Sequence, residues 1–233
     1  MSQESTNAAG KGMIIVQGVA TFLGGAAALG AVLFLAAWTL RYWRAWTLIV
    51  AFMVPLTLSS TYFSVKDPAL IERRKLAGRK LSPEQKVYIP YIYALELGML
   101  IIPALDHRFG WSRMPDWVSI IGSGLVVLAN VIWFVSKKEN SYAGSALKIY
   151  EGQTIVTSGP YALVRHPNYV GDLTLVLGVP LTLGSWWGLI LFALMVPAMV
   201  WMIFDEEKFL KKNLPGYVEY TQTVDYRLIP HIW

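Results

Sequence analysis

The stretch MIIVQGVATFLGGAAALGAVLFLAAW, Met13–Trp38, decides the fold class of this chain. It contains no charged residue, and a helix needs about 20 residues to cross the hydrocarbon core of a bilayer. The run is also far longer than the apolar core of a secretory signal peptide. We therefore predict a transmembrane helix here that the protein retains.

Further apolar runs follow, and hydrophobic residues make up 55% of the chain while charged residues make up only 15%. Backbone groups in a bilayer must be hydrogen-bonded within their own segment, which favours helices. We predict an all-α integral membrane protein with about six transmembrane helices. The further runs are Trp46–Phe63, Val87–Leu105, Trp117–Val135, Tyr169–Leu183 and Gly188–Phe204. The last two are joined by the tight turn GSWW. Because Tyr169–Leu183 is short and contains Gly178 and Pro180, five spans with a re-entrant segment are the alternative.

The distribution of basic residues predicts the orientation. If both termini are cytoplasmic, 16 of the 20 Lys and Arg residues fall in cytoplasmic segments, as the positive-inside rule requires. The sequence pI of about 9.3 is then explained by basic residues facing anionic lipid headgroups. We accordingly predict membrane lipids as partners and no nucleic acid.

The chain divides into three regions by composition. Residues 1–12 are predicted to be a disordered head, 13–136 to hold the N-terminal transmembrane helices, and 137–233 to form a C-terminal functional region with a helical hairpin. Asp67 before Pro68 is a candidate N-cap, and Ser82 with Gln85 forms a candidate capping box. The chain has no cysteine, which excludes disulfides, thiolate metal sites and a cysteine nucleophile.

Two polar clusters flank the predicted hairpin. RHPNY, Arg165–Tyr169, begins one apolar run, and DEEKF, Asp205–Phe209, ends the next. Acids at the carboxyl end of a helix oppose its dipole by about 0.3–1 kcal/mol per group. Three acids there indicate a bound cationic or hydroxyl-rich group, with local pairing to Lys208, Lys211 and Lys212 as the structural alternative.

These clusters carry a resemblance to a known family. TIVTSGPYALVRHPNYVG (Thr154–Gly171), DEEKFLKKNLPGYVEY (Asp205–Tyr220) and the closing YRLIPHIW (Tyr226–Trp233) resemble the isoprenylcysteine carboxyl methyltransferases and their phospholipid-methyltransferase relatives. The resemblance covers Asn140 to the C-terminus. It implies an enzyme that uses S-adenosylmethionine, releases S-adenosylhomocysteine and has its active site at the cytoplasmic face of a bacterial-type inner membrane.

The resemblance also implies a set of cofactor-binding residues and no metal. Acids suit the ammonium and ribose hydroxyls of the cofactor, and aromatic rings suit its adenine and sulfonium. The implied residues are Gln153, Thr154, Ile155, Val156, Tyr161, Arg165, His166, Pro167, Asn168, Tyr169, Glu206 and Glu207.

One position departs from the family pattern. The prenylcysteine enzymes have an arginine four residues before the acid that corresponds to Glu206, and here that residue is Met202. The predicted methyl acceptor is therefore lipophilic in the broad sense: isoprenoid, lipid or small hydrophobic. Gly122–Gly124 is similar to a GxG element of the phospholipid-methylating branch, although small residues in a membrane helix usually mark a packing site.

Ionisable and polar groups within the spans are the candidates for catalytic work. Glu96, Asn130 and Asp172 fall in or beside apolar runs, where such groups are costly and often functional. The expected reaction is an in-line methyl transfer, with the rate coming from positioning and the exclusion of water.

Two other functions remain open from the sequence. RHPNYVGDL and YRLIPHIW also resemble the C-terminal half of membrane sterol reductases, which bind NADPH. The acid pair argues against a 2′-phosphate, which prefers Arg or Lys, while Arg165 and the nearby lysines argue for it. A scaffold or transporter is the non-enzyme alternative, suggested only by the break expected at Gly178 and Pro180.

Overall fold

The computed structural model describes residues 3–76, 81–142 and 148–233. Within these ranges the chain is all-helical, which confirms the predicted fold class. A short 3₁₀ turn, Gly159–Ala162, precedes the sixth α-helix. The α-helices are α1 (Gln3–Ala37), α2 (Trp43–Lys66), α3 (Pro68–Leu76), α4 (Gln85–Phe109), α5 (Asp116–Glu139), α6 (Pro167–Leu183), α7 (Gly188–Asn213) and α8 (Tyr217–Thr223).

Among the described residues, five helices are long and apolar enough to cross a membrane. The sixth predicted span is α6, whose 17 residues extend about 25 Å at 1.5 Å per residue, short of a hydrocarbon core of about 30 Å. Of the two numbers of transmembrane helices that the sequence allowed, six or five, the structure therefore supports five. The five spans are Val16–Ala37, Trp43–Lys66, Gln85–Phe109, Asp116–Glu139 and Trp186–Asn213.

Helix α6 is continuous through Gly178 and Pro180, so the break that suggested a transporter is not seen there. Gly178 instead brings α6 close to α5. A Cβ at Gly178 would lie 3.0 Å from the Gly122 carbonyl oxygen, and one at Gly122 would lie 2.4 Å from the Thr182 nitrogen. Close glycine contacts of this kind join helices in membranes.

Gly122, the first glycine of the GSG element Gly122–Gly124, therefore serves in the packing of α5 against α6. Gly124, by contrast, has no heavy atom within 4 Å of a Cβ placed on it. At the other end of the α5–α6 pair, Gly171 leaves room for the ring of Trp133, whose side chain would lie 2.6 Å from an added Cβ. The two helices run antiparallel, and among the described helices they make the most extensive contact.

The helix starts predicted around α3 and α4 are confirmed. The Asp67 carboxylate accepts a hydrogen bond from the Leu70 N–H at 3.0 Å, which makes Asp67 the N-cap of α3. Ser82 and Gln85 exchange two hydrogen bonds of 2.9 and 3.1 Å, as in a capping box.

Helix α1 begins at Gln3, inside the stretch 1–12 that composition predicted to be a disordered head. The apolar run that follows establishes the helix, and propagation adds one hydrogen bond per residue once a helix is nucleated. The division of the chain into three regions otherwise stays a prediction.

The two ends of the helical bundle differ in character. One end is closed by buried polar contacts: the Tyr42 hydroxyl donates to the Leu183 carbonyl at 2.6 Å, and Asp106 accepts from the Ser112 N–H at 2.7 Å. The other end gathers the C-terminal ends of α2, α5 and α7 and the N-terminal ends of α4 and α6. This second end is the one that the sequence assigns to the cytoplasm, an orientation that stays a prediction.

Candidate functional site

A cavity of about 390 Å³ opens at this second end of the bundle, within the range of about 300–1,000 Å³ typical of ligand sites. It collects residues from both halves of the chain. Eleven of the twelve predicted cofactor-binding residues line it: Gln153, Thr154, Ile155, Val156, Tyr161, Arg165, His166, Pro167, Asn168, Tyr169 and Glu206.

The three consecutive acids of α7 point in three directions, because successive residues of an α-helix lie about 100° apart. Asp205 accepts a hydrogen bond from the Tyr88 hydroxyl of α4 at 3.0 Å. Glu206 lines the cavity. Glu207 turns away and is 3% exposed. Of the three, Glu206 is therefore the one placed to meet a ligand.

Glu207 is the centre of a buried ion-pair cluster behind the cavity wall. Its carboxylate lies 3.1 Å from an Arg165 nitrogen, 3.3 Å from His166 Nε2 and 3.1 Å from an Arg227 nitrogen. A buried carboxylate requires such partners to offset its desolvation. Glu207 therefore supports the wall of the cavity rather than lining it, in contrast to the role implied by the family resemblance.

The same cluster attaches the C-terminal tail to the start of α6. The backbone N–H groups of Arg165 and His166 donate to the carbonyls of Tyr226 and Arg227 at 2.9 and 3.0 Å. The Arg165 guanidinium also donates to the Asp225 carbonyl at 3.0 Å. The tail thus fixes the His-Pro box, and Arg165 is paired with Glu207 within the protein.

Tyrosines and Asn168 form the polar wall of the cavity. The Tyr220 hydroxyl donates to the Tyr161 carbonyl at 2.7 Å. Burial raises the pKa of Tyr161 and Tyr217 well above the usual value and that of Tyr220 to about 12. All three hydroxyls are therefore protonated at physiological pH.

Two polar atoms of this wall have no hydrogen-bond partner within the described protein: the Tyr217 hydroxyl and Asn168 Oδ1. A buried polar group without a partner costs about 1–3 kcal/mol. An adenosine or amino-acid group could satisfy both atoms, so the residues present fit the cofactor that the resemblance implies.

A second group of polar residues lines the same cavity between α2, α3, α5 and α6, and we call it the cationic sector: Arg74, Trp133, Lys137 and Asp172. Trp133 Nε1 donates to Asp172 Oδ1 at 2.8 Å. Lys137 Nζ lies 5.1 Å from the centre of the Trp133 ring. The charges of Arg74 and Lys137 interact with Asp172.

Of the three candidate catalytic residues, Asp172 lines the cavity. Glu96 is exposed on the outer surface of α4. Asn130 is buried and donates to the Val126 carbonyl of its own helix at 2.9 Å. The structure therefore brings one of the three into the site. No group of three or more His, Asp or Glu residues placed to hold a metal occurs in the described part of the chain.

Apart from Asp172, the sequence did not identify the residues of the cationic sector, nor Tyr217 and Tyr220. Arg74 and Lys137 were included among the basic residues that set orientation, and their pattern gave no further signal. The hydrogen bond between Tyr88 and Asp205 was also missed, since nothing local links positions 117 residues apart.

Residues 117–215 match the phospholipid methyltransferase family. This match confirms the resemblance drawn from the His-Pro box and the acids of α7. The matched region runs from α5 through α7 and supplies most of the residues of the cavity wall.

Two curated relatives show what else the chain is similar to. It is 34% identical over 156 residues to the Delta(14)-sterol reductase TM7SF2 of Mus musculus, covering 63% of this chain and 37% of that protein. It is 36% identical over 129 residues to the cobalt-zinc-cadmium resistance protein CzcN of Cupriavidus metallidurans, covering 49% of this chain and 52% of that protein. The chain thus spans about a third to a half of the length of these relatives.

Proposed function

We propose that this protein transfers a methyl group from S-adenosylmethionine to a lipophilic acceptor at the cavity described above. One observation carries the proposal. The segment Gln153–Val156, the box His166–Tyr169 and Glu206 converge on a single cavity, and much of that cavity lies in the region that matches the phospholipid methyltransferase family.

The chemistry of the lining supports this assignment. The Glu206 carboxylate suits the ammonium or the ribose hydroxyls of the cofactor. The rings of Tyr161 and Tyr169 suit adenine and the cationic sulfonium. Asn168 Oδ1 and the Tyr217 hydroxyl have no hydrogen-bond partner among the described residues. They would supply one acceptor and one donor or acceptor for the remaining polar groups of the cofactor.

Glu206, Asn168 and the tyrosine rings would hold the cofactor, which would supply an electrophilic methyl group on a positively charged sulfur and would leave as the neutral thioether S-adenosylhomocysteine. The protein contributes by aligning the two reactants and excluding water. A carboxylate, thiolate or tertiary amine acceptor needs no base, whereas a protonated acceptor would pass its proton to Asp172.

The similarity to a sterol reductase favours NADPH-dependent reduction as the second candidate. Arg74, Lys137 and Lys148 line the cavity and would suit phosphates. Two features favour the methyltransferase: Arg165 is already engaged by Glu207 at 3.1 Å, and the Glu206 carboxylate would repel a phosphate group.

Ligand-induced thermal stabilisation of the detergent-purified protein separates the two candidates. A ligand at 100 times its dissociation constant stabilises the folded state by about 2.7 kcal/mol. We expect S-adenosylhomocysteine to raise the melting temperature and NADP⁺ to leave it unchanged. A shift with NADP⁺ and none with S-adenosylhomocysteine would overturn the proposal in favour of the reductase.

A further inference from the structure

The cavity wall includes one segment that belongs to no helix. Residues 153–156, which we call the cofactor segment, line the cavity without regular secondary structure. On one side, Ile149 and Ile155 pack against the buried cluster that contains Tyr217 and Tyr220. Apolar burial is non-directional, so it does not by itself fix the course of the backbone. Directed contacts from elsewhere in the fold are needed to hold the cofactor segment in place.

Helix α3 supplies directed contacts of this kind through Arg73. Its Nη1 donates to the Ser141 carbonyl at 2.9 Å and to the Ser141 hydroxyl at 2.7 Å. The guanidinium carbon lies 4.5 Å from the centre of the Tyr142 ring and 5.6 Å from that of the Tyr150 ring. The Tyr150 hydroxyl in turn donates to the Arg73 carbonyl at 3.3 Å. These four residues, which we call the Arg73 cluster, connect α3 to the chain between α5 and α6.

The Arg73 cluster continues directly into the cofactor segment. The Gln153 N–H donates to the Tyr150 carbonyl at 3.1 Å, and Gln153 Oε1 accepts from the Tyr150 N–H at 3.0 Å. The Tyr142 hydroxyl donates to the Gly152 carbonyl at 3.3 Å. Gly152 has a φ of 72°, a conformation that glycine adopts readily. Hydrogen bonds therefore lead from Arg73 through Tyr150 to Gln153, which lines the cavity.

The surroundings of Arg73 differ from those of a basic residue that only anchors a helix at a membrane surface. An anchoring residue extends its charge to the water or the headgroups, and Lys66 at the end of α2 is exposed in this way. Arg73 is half-buried, and its planar guanidinium donates to Ser141 while it lies over two aromatic rings. A lysine does not reproduce this combination of contacts. The cluster is therefore built around an arginine.

We propose that Arg73 is a positioning residue for the cofactor: through Tyr142 and Tyr150 it holds the cofactor segment in the conformation that binds S-adenosylmethionine. This inference rests on the proposed function. Arg73 does not itself line the cavity, and it lies outside residues 117–215, which match the phospholipid methyltransferase family. The cofactor affinity of this chain thus depends on a helix that precedes the matched region.

Titration calorimetry with S-adenosylhomocysteine on the detergent-purified protein tests this role. Arg73→Gln removes the charged donor and the cation over the rings. We expect it to weaken binding at least about fivefold, because the apparent affinity falls with the fraction of protein in the binding-competent state. Arg73→Lys, which keeps the cation and loses the planar fork, should retain part of the affinity. Lys66→Gln, which removes an exposed cation from the end of α2, is the matched control and should bind normally.

Hydrogen exchange followed by mass spectrometry distinguishes positioning from a general loss of stability, because local opening raises exchange only in the segment that opens. In Arg73→Gln without ligand, we expect faster amide exchange in residues 148–158 and unchanged exchange in α6. The melting temperature without ligand should change little. Saturating S-adenosylhomocysteine should slow the exchange of residues 148–158 again. Faster exchange throughout α6, or a melting temperature that falls in step with the affinity, would overturn the positioning role.

A second substitution tests whether the cluster acts as a unit. Tyr150→Leu removes the ring and the hydroxyl that meet Arg73, and it should weaken S-adenosylhomocysteine binding as Arg73→Gln does. Because residues of one network have non-additive effects, the double variant should bind no more weakly than the weaker single variant. Additive losses would mean that the two residues act independently, which would contradict the proposal.

The outcomes separate this inference from the proposed function. If the unsubstituted protein does not bind S-adenosylhomocysteine, the proposed function itself fails. If it does bind, and Arg73→Gln binds with the same affinity, the proposed function stands and the role of Arg73 is wrong. Should Arg73→Gln not fold, Arg73→Lys and Tyr150→Leu decide the question by the same two measurements, and normal binding by both would overturn the inference.

Discussion

At the scale of single residues, the account depends on the different surroundings of three neighbouring acids. Glu206 lines the cavity, Asp205 binds Tyr88, and Glu207 is enclosed by basic side chains. Each therefore gives a different expectation when its charge is removed.

The variant Glu206→Gln should weaken binding of S-adenosylhomocysteine by about 10-fold to 100-fold. The reason is that a hydrogen bond to a charged group contributes about 1.5–3 kcal/mol, and every 1.4 kcal/mol is a factor of about ten in affinity. Isothermal titration calorimetry on the purified protein measures the change.

Asp205→Asn is the control for this experiment. The amide oxygen of asparagine can still accept the hydrogen bond from the Tyr88 hydroxyl, which is 3.0 Å long, so binding should stay within about twofold of the original. If the two variants bound equally well, Glu206 would not be a cofactor ligand.

The variant Glu207→Gln should lower stability rather than act only on binding. It leaves Arg165 and Arg227 without their carboxylate, and breaking a buried charge network costs about 3–5 kcal/mol. The melting temperature without ligand should fall by several degrees. Glu219→Gln, which changes an exposed acid on α8, should leave it unchanged. An unaltered melting temperature for Glu207→Gln would show that the cluster does not support the fold.

At the scale of helices, the α5–α6 pair positions the site, because α6 carries the His-Pro box and α5 carries Trp133 and Lys137. Gly122→Ala should destabilise the protein by about 1–3 kcal/mol, the usual cost of overpacking, since the new Cβ would lie 2.4 Å from the Thr182 nitrogen. Thermal denaturation followed by tryptophan fluorescence measures this loss.

Gly124→Ala provides a control from the same helix. A Cβ there meets open space, and alanine is the better helix former by about 1 kcal/mol. This variant should be neutral or slightly stabilised. Equal behaviour of the two alanine variants would contradict the packing of α6 on α5 at Gly122.

The starts of α3 and α4 could be predicted from sequence because capping is local. Asp67, Ser82 and Gln85 form their hydrogen bonds within three residues. The sequence also placed the end of α6 at Leu183, just before Gly184 adopts a left-handed conformation with φ of 76°. It left open whether so short an apolar run crosses the membrane.

The candidate site could be predicted where it follows a pattern along the chain and not where it depends on how the helices pack. The His-Pro box and Glu206 are recognisable as a pattern along the chain. Arg74 and Lys137 enter the cavity only because α3 and α5 pack around it, and a basic residue near a helix end looks the same in sequence whether it faces lipid or a cavity. The direction in which the Glu207 side chain points depends likewise on how α7 is rotated relative to the C-terminal tail that carries Arg227.

At the scale of the whole molecule, the cavity is predicted to face the cytoplasm. The chain has no cysteine, so single cysteines can report the orientation directly. We expect Lys212→Cys, near the cavity end, to react with a membrane-impermeant maleimide only after bacterial cells expressing the protein are permeabilised. Arg113→Cys, at the opposite end, should react in intact cells. The reverse pattern would place the cavity on the outer face.

The central claim is that this cavity supports methyl transfer to a lipid, and transfer of an isotopically labelled methyl group tests it most directly. Membranes containing the protein are incubated with methyl-labelled S-adenosylmethionine, and the lipids are extracted and separated by mass. We predict labelled lipid with the unsubstituted protein and at least about tenfold less with Glu206→Gln, given the strength of a charged hydrogen bond. Absence of labelled lipid, together with lipid-dependent oxidation of NADPH by the same membranes, would contradict the account.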